Sequence, residues 1–156
     1  MVIGKIYNSL RLLLIHIKLS WEQASKVTST TKRPARDTAG KSKRNLTEEE
    51  ILRTHAKQYL PAEVQRLAQQ HGFHYQQIKI KKSKTRWGSC SSKGIINLSL
   101  YLMLLPAHLI EYVLLHELCH TVEMNHSPAF WSLLDRHTQG RAKILRKELR
   151  GYHIPR

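Results

Sequence analysis

The chain has 156 residues, of which 41% are hydrophobic, and it carries a formal net charge of +15. This length suits one domain with a single hydrophobic core and some tail. Two cysteines cannot build a disulfide framework, and no apolar run approaches the roughly 20 residues that a membrane-spanning helix needs. We therefore expect a cytoplasmic protein without a membrane segment.

Most of the excess positive charge lies near the N-terminus. Residues 1–46 hold ten Lys and Arg against two acidic residues, a net of +8, whereas residues 47–156 hold sixteen against nine. Residues 25–45 are rich in Ser, Thr, Lys and Arg and lack apolar periodicity, which is typical of a disordered segment. We expect residues 1–46 to be a basic, disordered segment that either contacts nucleic acid weakly or stays solvated without a partner.

The first predicted element is a helix that begins at about Glu48. Thr47, with Glu50 three residues later, forms the signature of a capping box, and the acidic run suits the positive end of a helix. Pro61 predicts a kink or a new start within this helix. Gly72 suits a left-handed cap at its C-terminal end.

Short strands are predicted to follow the helix. Ile78 and Ile80 alternate with polar residues, which is the period of a half-buried strand. The sequence TRWGSCSSKGIINLS then predicts a hairpin that turns at residues 92–94. The order of elements predicts an α+β domain over residues 47–152 with a small antiparallel sheet, followed by a tail at 153–156.

The next predicted helix combines an apolar surface with ionisable residues. Pro106 suits its first turn, and residues 109–119 are apolar on several faces, so the helix should be buried. Yet His116, Glu117 and His120 occur there in the pattern His-Glu-x-x-His. Buried ionisable groups need partners, and the neighbouring sequence offers no salt-bridge partner, so a metal ion is the expected one.

The spacing of this motif suits a catalytic zinc site. Residues four apart on a helix lie about 6 Å apart on one face, so His116 and His120 can each direct a ring nitrogen to one ion. Glu117 lies one step around the helix, where it can reach a water on that ion without ligating it. A bound zinc lowers the pKa of its water to about 7, and a neighbouring carboxylate can accept the proton as the water attacks a carbonyl.

Two residues compete for the role of third ligand. Glu123 lies seven residues beyond the first histidine, about 10.5 Å along the axis of a continuing helix, which makes convergence on one ion difficult. His126 is better placed if the helix ends soon after His120 and the chain turns back. The Ser-Pro pair at 127–128 predicts such a turn into a new helix, and Asn125 tolerates the left-handed conformation that a turn requires. We expect His126 to be the ligand and Glu123 to be a neighbouring or surface carboxylate.

Other residues are open to two interpretations. His137 is a candidate for polarising a substrate carbonyl. Cys90 is either a fourth ligand or a residue of the hairpin core, and Cys119 is expected to pack as a small apolar residue. Trp87 and Gly88 either shape an edge strand that pairs with an extended peptide or serve core packing and a bulge.

Four motifs together carry a family resemblance: RWGSCSS, INLS, LLHELCH and MNHSPAFW. In this order they resemble the YgjP-like metal-dependent hydrolases, a zincin-fold family related to the SprT-like metallopeptidases. The resemblance spans about residues 47–152, whereas residues 1–46 do not resemble the longer, β-rich N-terminal portion of family members. It implies a zincin-like metallopeptidase domain in which His116, His120 and His126 hold zinc and Glu117 is the general base.

The sequence thus predicts a zinc-dependent hydrolase, specifically a metallopeptidase that acts on a peptide or protein substrate. The histidine spacing also equals that of metzincins, but Glu123 stands where their turn glycine belongs, so that group is not assigned. The alternative is a nucleic-acid-binding module whose zinc is purely structural. An open coordination position distinguishes the two, because a structural zinc site is closed by four protein ligands.

Overall fold

The structure is a computed structural model that describes residues 47–155; the segment predicted at 1–46 lies outside them. Within this range the chain forms helix α1 (Glu48–His71), strands β1 (Gln77–Lys81), β2 (Gly88–Cys90) and β3 (Ile95–Ser99), a 3-10 helix (Leu100–Leu104), and helices α2 (Ala107–Cys119), α3 (Pro128–His137) and α4 (Ala142–Leu149). The α+β class is confirmed.

Local sequence signals set both ends of α1. Thr47 accepts a hydrogen bond from the amide of Glu50, and the Glu50 carboxylate accepts one from the amide of Thr47, so the capping box is present. Gly72 ends the helix with a left-handed backbone (φ 73°) and donates its amide to the carbonyl of Ala68. Helix α1 continues through Pro61, so it does not start anew there.

The sheet is mixed, with strand order β1-β3-β2. β2 and β3 form the predicted antiparallel hairpin, and Gly94 (φ 71°) takes the left-handed position at its turn. β1 instead pairs parallel with β3, so the expectation of a wholly antiparallel sheet was wrong. Alternating hydrophobicity identifies the buried face of a strand, as it does for β1, but it does not identify the strand's partner.

The parallel pairing follows from the path of the chain between β1 and β2. The last residue of β1 and the first of β2 both lie near the end of β3, on opposite edges. The loop 82–87 therefore crosses the end of β3, and Ser99 holds it there. The amide of Ser99 donates to the carbonyl of Trp87 at 2.8 Å, and its hydroxyl donates to the carbonyl of Ser83 at 2.8 Å.

Helix α2 is the central element of the core. It packs against α1 and β2, and α3 and α4 pack against it in turn. The largest completely buried side chains come from α1, β3, the 3-10 helix, α2 and α3: Leu60, Leu67, Ile96, Leu98, Leu100, Leu102, Leu109, Leu114, Leu115, Leu118, Phe130 and Leu134. Among the described residues, no helix combines the length and the apolar character needed to cross a bilayer. Any side chain at the C-terminal end of α2 is therefore supported on several sides by packed elements.

Candidate metal centre

Helix α2 carries the first two histidines of the motif and its glutamate at its C-terminal end. Pro106 stands at the N-terminal boundary of the helix, where its missing amide proton does no harm. Almost every residue from 109 to 119 is buried, as the apolar pattern predicted. His120 caps the helix and is only 8% exposed. The ring centroids of His116 and His120 lie 4.9 Å apart, so both imidazoles are on one face.

A tight turn after α2 returns the chain toward this face. After the helix ends, the amides of Val122 and Glu123 both donate to the carbonyl of Cys119, at 3.0 and 2.9 Å. Ser127 then caps α3 by accepting the amide of Phe130 at 3.3 Å, and a proline follows as the first helical residue. The Ser-Pro signal was therefore interpreted correctly. His126, directly before this cap, lies against His116.

Asn125 does not adopt the left-handed conformation that it was expected to tolerate. Among the non-glycine residues of 47–155, only Gln139 has a positive φ, so Asn125 is not left-handed. A hydrogen bond from the amide of Ser127 to the carbonyl of Asn125, at 2.8 Å, closes the turn instead. Such a bond between residues two apart folds the chain without a left-handed residue.

The three histidines converge. The Nε2 atoms of His116 and His126 lie 3.0 Å apart, and one ring nitrogen from each of His116, His120 and His126 lies within 4.8 Å of the others. The ring centroids of the three pairs are 4.7 to 5.0 Å apart. In the part of the chain that the structure describes, these three side chains form the one group that could hold a metal ion.

Two aromatic residues of α3 support the cluster. Phe130 is completely buried, and its ring contacts all three imidazoles with centroid distances of 4.4 to 4.9 Å. Trp131 stacks on His126 at 5.7 Å. The motif MNHSPAFW thus supplies a histidine together with the rings that fix its position. The sequence alone gave no indication of this supporting role.

A backbone carbonyl fixes the orientation of His120. Its Nδ1 lies 3.0 Å from the carbonyl oxygen of Glu123, which can only accept, so Nδ1 carries the proton and Nε2 is left free. Glu123 therefore acts through its main chain. Its side chain is outside the histidine cluster, as expected for a residue that is not a ligand.

Burial favours the neutral form of two of the imidazoles. Burial, with smaller effects from the neighbouring His120, His126 and Arg146, lowers the pKa of His116 to about 3. The pKa of His126 is also lowered, first by burial and then by His120 and Arg146. Neutral imidazole is the form that ligates metals. These side chains are thus ready to bind a cation at neutral pH.

Glu117 is a buried carboxylate held against β2. It is 4% exposed, and its Oε2 atom has no hydrogen-bond partner. Burial raises the pKa of Glu117 to about 8, although the charge of Arg86 opposes the shift. A Cβ atom built on Gly88 would lie 2.6 Å from Oε1 of Glu117, so the glutamate occupies space that only glycine leaves open. Gly88 thus contacts the candidate base.

A cleft of about 350 Å³ opens beside His116 and Glu117. Its lining is mostly aromatic and aliphatic, with one arginine from the C-terminal helix and one directly after it: Trp87, Gly88, Tyr112, Val113, Arg146, Leu149, Arg150 and Tyr152. Clefts of this size, with apolar walls and a few convergent polar groups, are typical of ligand sites. The arginines were not identified from the sequence.

Three residues considered from the sequence do not join the cluster. His137 lies with its Nδ1 3.0 Å from Nδ1 of His71 and lines a different cavity. Cys90 is half-buried, and burial, with a smaller effect from Glu117, raises its pKa to about 11. Cys119 is buried, which raises its pKa to about 12 and agrees with apolar packing. Neither thiol belongs to the group that could hold a metal.

An α+β fold with a histidine triad beside a buried glutamate is the arrangement of a metallopeptidase-type domain. The family model described as YgjP-like, metallopeptidase domain, matches residues 8–152, and the chain belongs to this family. The match begins well before residue 47, so the expectation that the family resemblance excludes residues 1–46 was wrong. The division into a segment 1–46 and a domain 47–152 stays a prediction.

Two solved structures are similar to this chain. One is the metallopeptidase zymogen abylysin of Pyrococcus abyssi, with 22% identity and a TM-score of 0.45 over 56% of this chain and 93% of that one. The other is the metallopeptidase zymogen jannalysin of Methanocaldococcus jannaschii, with 23% identity and a TM-score of 0.45 over 56% of this chain and 95% of that one. The comparison with curated proteins gave no match.

Proposed function

We propose that the protein is a zinc-dependent peptidase in which His116, His120 and His126 hold the metal and Glu117 is the general base. The observation that carries this proposal is the convergence of three imidazoles within 4.8 Å, next to a buried carboxylate without a hydrogen-bond partner on Oε2. Membership of a metallopeptidase family supports the reaction class and a peptide or protein substrate. The cytoplasmic location expected from the two cysteines of the sequence stays a prediction.

The donor set fits zinc. The Nε2 atoms of His116 and His126 lie 3.0 Å apart, close enough for both imidazoles to hold one zinc ion, and imidazole is a common zinc ligand. The carbonyl of Glu123 holds His120 as ligating histidines are usually held, through the other ring nitrogen. When bound, zinc supplies a Lewis acid that polarises a carbonyl and acidifies water.

Glu117 is suited to proton transfer. It lines the cleft beside His116, and its buried position disfavours a permanent charge. The carboxylate accepts a proton from water as the water attacks the scissile carbonyl, and it then gives that proton to the leaving amine. Gly88 keeps the carboxylate close to β2.

The cleft and strand β2 suit an extended peptide. β2 lies at the edge of the sheet, and among the described residues it pairs only with β3. A peptide laid along that edge would form main-chain hydrogen bonds with β2, and Trp87 in the cleft would contact its side chains. Gly88 belongs to the same strand, so the edge and the candidate base are adjacent.

The alternative, a nucleic-acid-binding module with a structural zinc, is less well supported. A structural site is closed by four protein ligands. Among residues 47–155 the metal-binding group has three members, and Cys90 is not one of them. The described residues thus leave a fourth position for water and substrate.

The decisive variant is Glu117→Gln, which keeps the shape and removes the base. We expect zinc content to be retained and turnover of a peptide substrate to fall by a factor on the order of 10² to 10⁴. Zinc is measured by elemental analysis, and turnover with an unstructured protein such as casein and with a fluorogenic peptide library. Glu123→Gln is the matched control and should keep both properties, because Glu123 acts through its carbonyl. Undiminished turnover in zinc-loaded Glu117→Gln would exclude Glu117 from the mechanism.

A further inference from the structure

The cleft beside Glu117 has two arginines on one wall. Arg146 lies on α4 and Arg150 directly after it, so the two are one helical turn apart and share a face. Both are exposed to solvent, yet both line the cleft. Lys147, between them, is exposed but does not line it. Arg146 and Arg150 thus bring two positive charges to one wall of the cleft.

Arg146 is held in place by an aromatic ring. Its guanidinium carbon lies 4.7 Å from the ring centroid of Trp131, a cation–π distance. Trp131 stacks on His126 at 5.7 Å. The guanidinium is therefore positioned beside the histidine cluster before any ligand binds, which lowers the ordering cost of binding.

Neither arginine has an acidic partner in the described part of the chain. The ion pairs there use other bases: Arg53, Arg66, Lys82 and His108. Glu148, on the same helix, pairs with His108 at 2.8 Å and not with Arg146 or Arg150. Exposed arginines on a helix are often merely solvated. These two differ because they line a cleft and one is stacked.

We propose that Arg146 and Arg150 form an anion-binding subsite for a carboxylate of the peptide substrate. A planar guanidinium matches a carboxylate through two parallel hydrogen bonds. The aromatic walls, including Trp87 and Tyr112, cover the apolar atoms next to that carboxylate. The group bound is either an acidic side chain or the C-terminal carboxylate of the peptide. This inference rests on the proposed function, because it places the peptide at the histidine cluster.

The test measures binding, so that it does not depend on turnover. The full chain carrying Glu117→Gln is titrated against three fluorescent peptides of one alanine-rich sequence. One has a central Glu and a C-terminal amide, one a central Gln and a C-terminal amide, and one a central Gln and a free C-terminus. We expect one of the two acidic peptides, or both, to bind roughly tenfold more tightly than the uncharged one. Tighter binding of the Glu peptide would identify an acidic side chain as the bound group, and tighter binding of the peptide with a free C-terminus would identify the terminal carboxylate.

Three controls assign the preference to the arginines. Arg146→Gln combined with Arg150→Gln should abolish it, whereas Lys147→Gln removes one charge from the same helix and should keep it. Each titration is repeated with EDTA, because a carboxylate could also ligate a metal. The preference should persist without metal. Circular dichroism verifies that the double variant is folded.

Several results would overturn the subsite. The first is equal affinity for the three peptides. The second is a preference for the acidic peptides that persists in the double arginine variant or that EDTA removes. The third is displacement of the acidic peptide by a single-stranded oligonucleotide at a lower concentration than by unlabelled acidic peptide. Failure of the proposed function is distinguishable, because it would appear as absent turnover in the unmodified protein. Turnover of all peptides at equal efficiency would instead support the peptidase and contradict the subsite.

Discussion

At the scale of single residues, the contact between Gly88 and Glu117 links the sheet to the candidate base. The Cβ of any larger residue at position 88 would lie 2.6 Å from Oε1 and 2.7 Å from Cγ of Glu117. The φ of Gly88 is not positive, so its backbone suits any residue. Glycine is required here by the neighbouring glutamate and not by the conformation of the chain.

A Gly88→Ala substitution should therefore act through Glu117. We expect it to destabilise the protein by about 1–3 kcal/mol through overpacking, and to lower turnover because the carboxylate must move. In a Glu117→Ala background the clashing atoms are gone. There the same substitution should be neutral or stabilise by about 0.4–1 kcal/mol, because alanine restricts the unfolded chain. Urea denaturation gives the free energy of unfolding of the parent, the two single variants and the double variant. If Gly88→Ala changes that free energy equally with and without the Glu117 side chain, the two residues are not in contact.

The histidine cluster predicts which histidines matter for metal. His120→Ala removes one of three convergent nitrogens, so we expect loss of zinc and, because binding is linked to folding, a lower melting temperature in the presence of zinc. His137→Ala is the matched control, since His137 pairs with His71 and lines another cavity. Its zinc content should remain at one ion per chain. Full zinc occupancy in His120→Ala would contradict the ligand assignment.

At the scale of elements, the sequence predicted features that depend on neighbours along the chain. The caps at Thr47, Gly72 and Ser127 were found because each depends on a few adjacent residues. The position of His126 followed from the same kind of signal, because the Ser-Pro pair directly after it marks the start of α3. The three candidate ligands and the candidate base could therefore be proposed before any fold was known.

Features that depend on contacts between elements could not be predicted. The partner of β1 is determined by a loop crossing the end of β3, which no periodicity reports. Gly88 was interpreted from the sequence as part of an edge strand or a bulge, whereas its contact with Glu117 joins β2 to α2. Arg146 of α4 stacks on the ring of Trp131 in α3, and no sequence pattern indicates this contact. These contacts exist only once helices and sheet are packed.

The cap of α3 gives a prediction at this scale. Ser127→Ala removes the hydrogen bond to the amide of Phe130 and should destabilise the protein by about 0.5–2 kcal/mol. Because His126 directly precedes this cap, zinc affinity should also fall. Thr47→Ala is the matched control: it removes the cap of α1, far along the chain from the histidines, and should lower stability but not zinc affinity. Equal zinc affinity in both variants would mean that the cap does not position His126.

At the scale of the whole molecule, the candidate site and the basic segment are separate in sequence. Every proposed ligand, the base, Gly88 and both cleft arginines lie beyond residue 85. The core described for 47–155 surrounds α2 on several sides. The family match nevertheless begins at residue 8. Two explanations of residues 1–46 therefore compete: a basic appendage, or a part of the catalytic domain.

A chain that begins at Leu46 distinguishes these explanations. The proposed site residues are all retained, so we expect it to fold, bind one zinc and keep its turnover of peptides. If residues 1–46 contact nucleic acid, the full chain should bind an oligonucleotide with an affinity that falls steeply with salt, since ten Lys and Arg lie there, and the shortened chain should lose that binding. Circular dichroism, zinc content, turnover and a salt titration are measured on both chains. A shortened chain that folds and binds zinc but has no turnover would show that the removed residues, 1–45, complete the cleft, because the loss could then arise neither from unfolding nor from the metal.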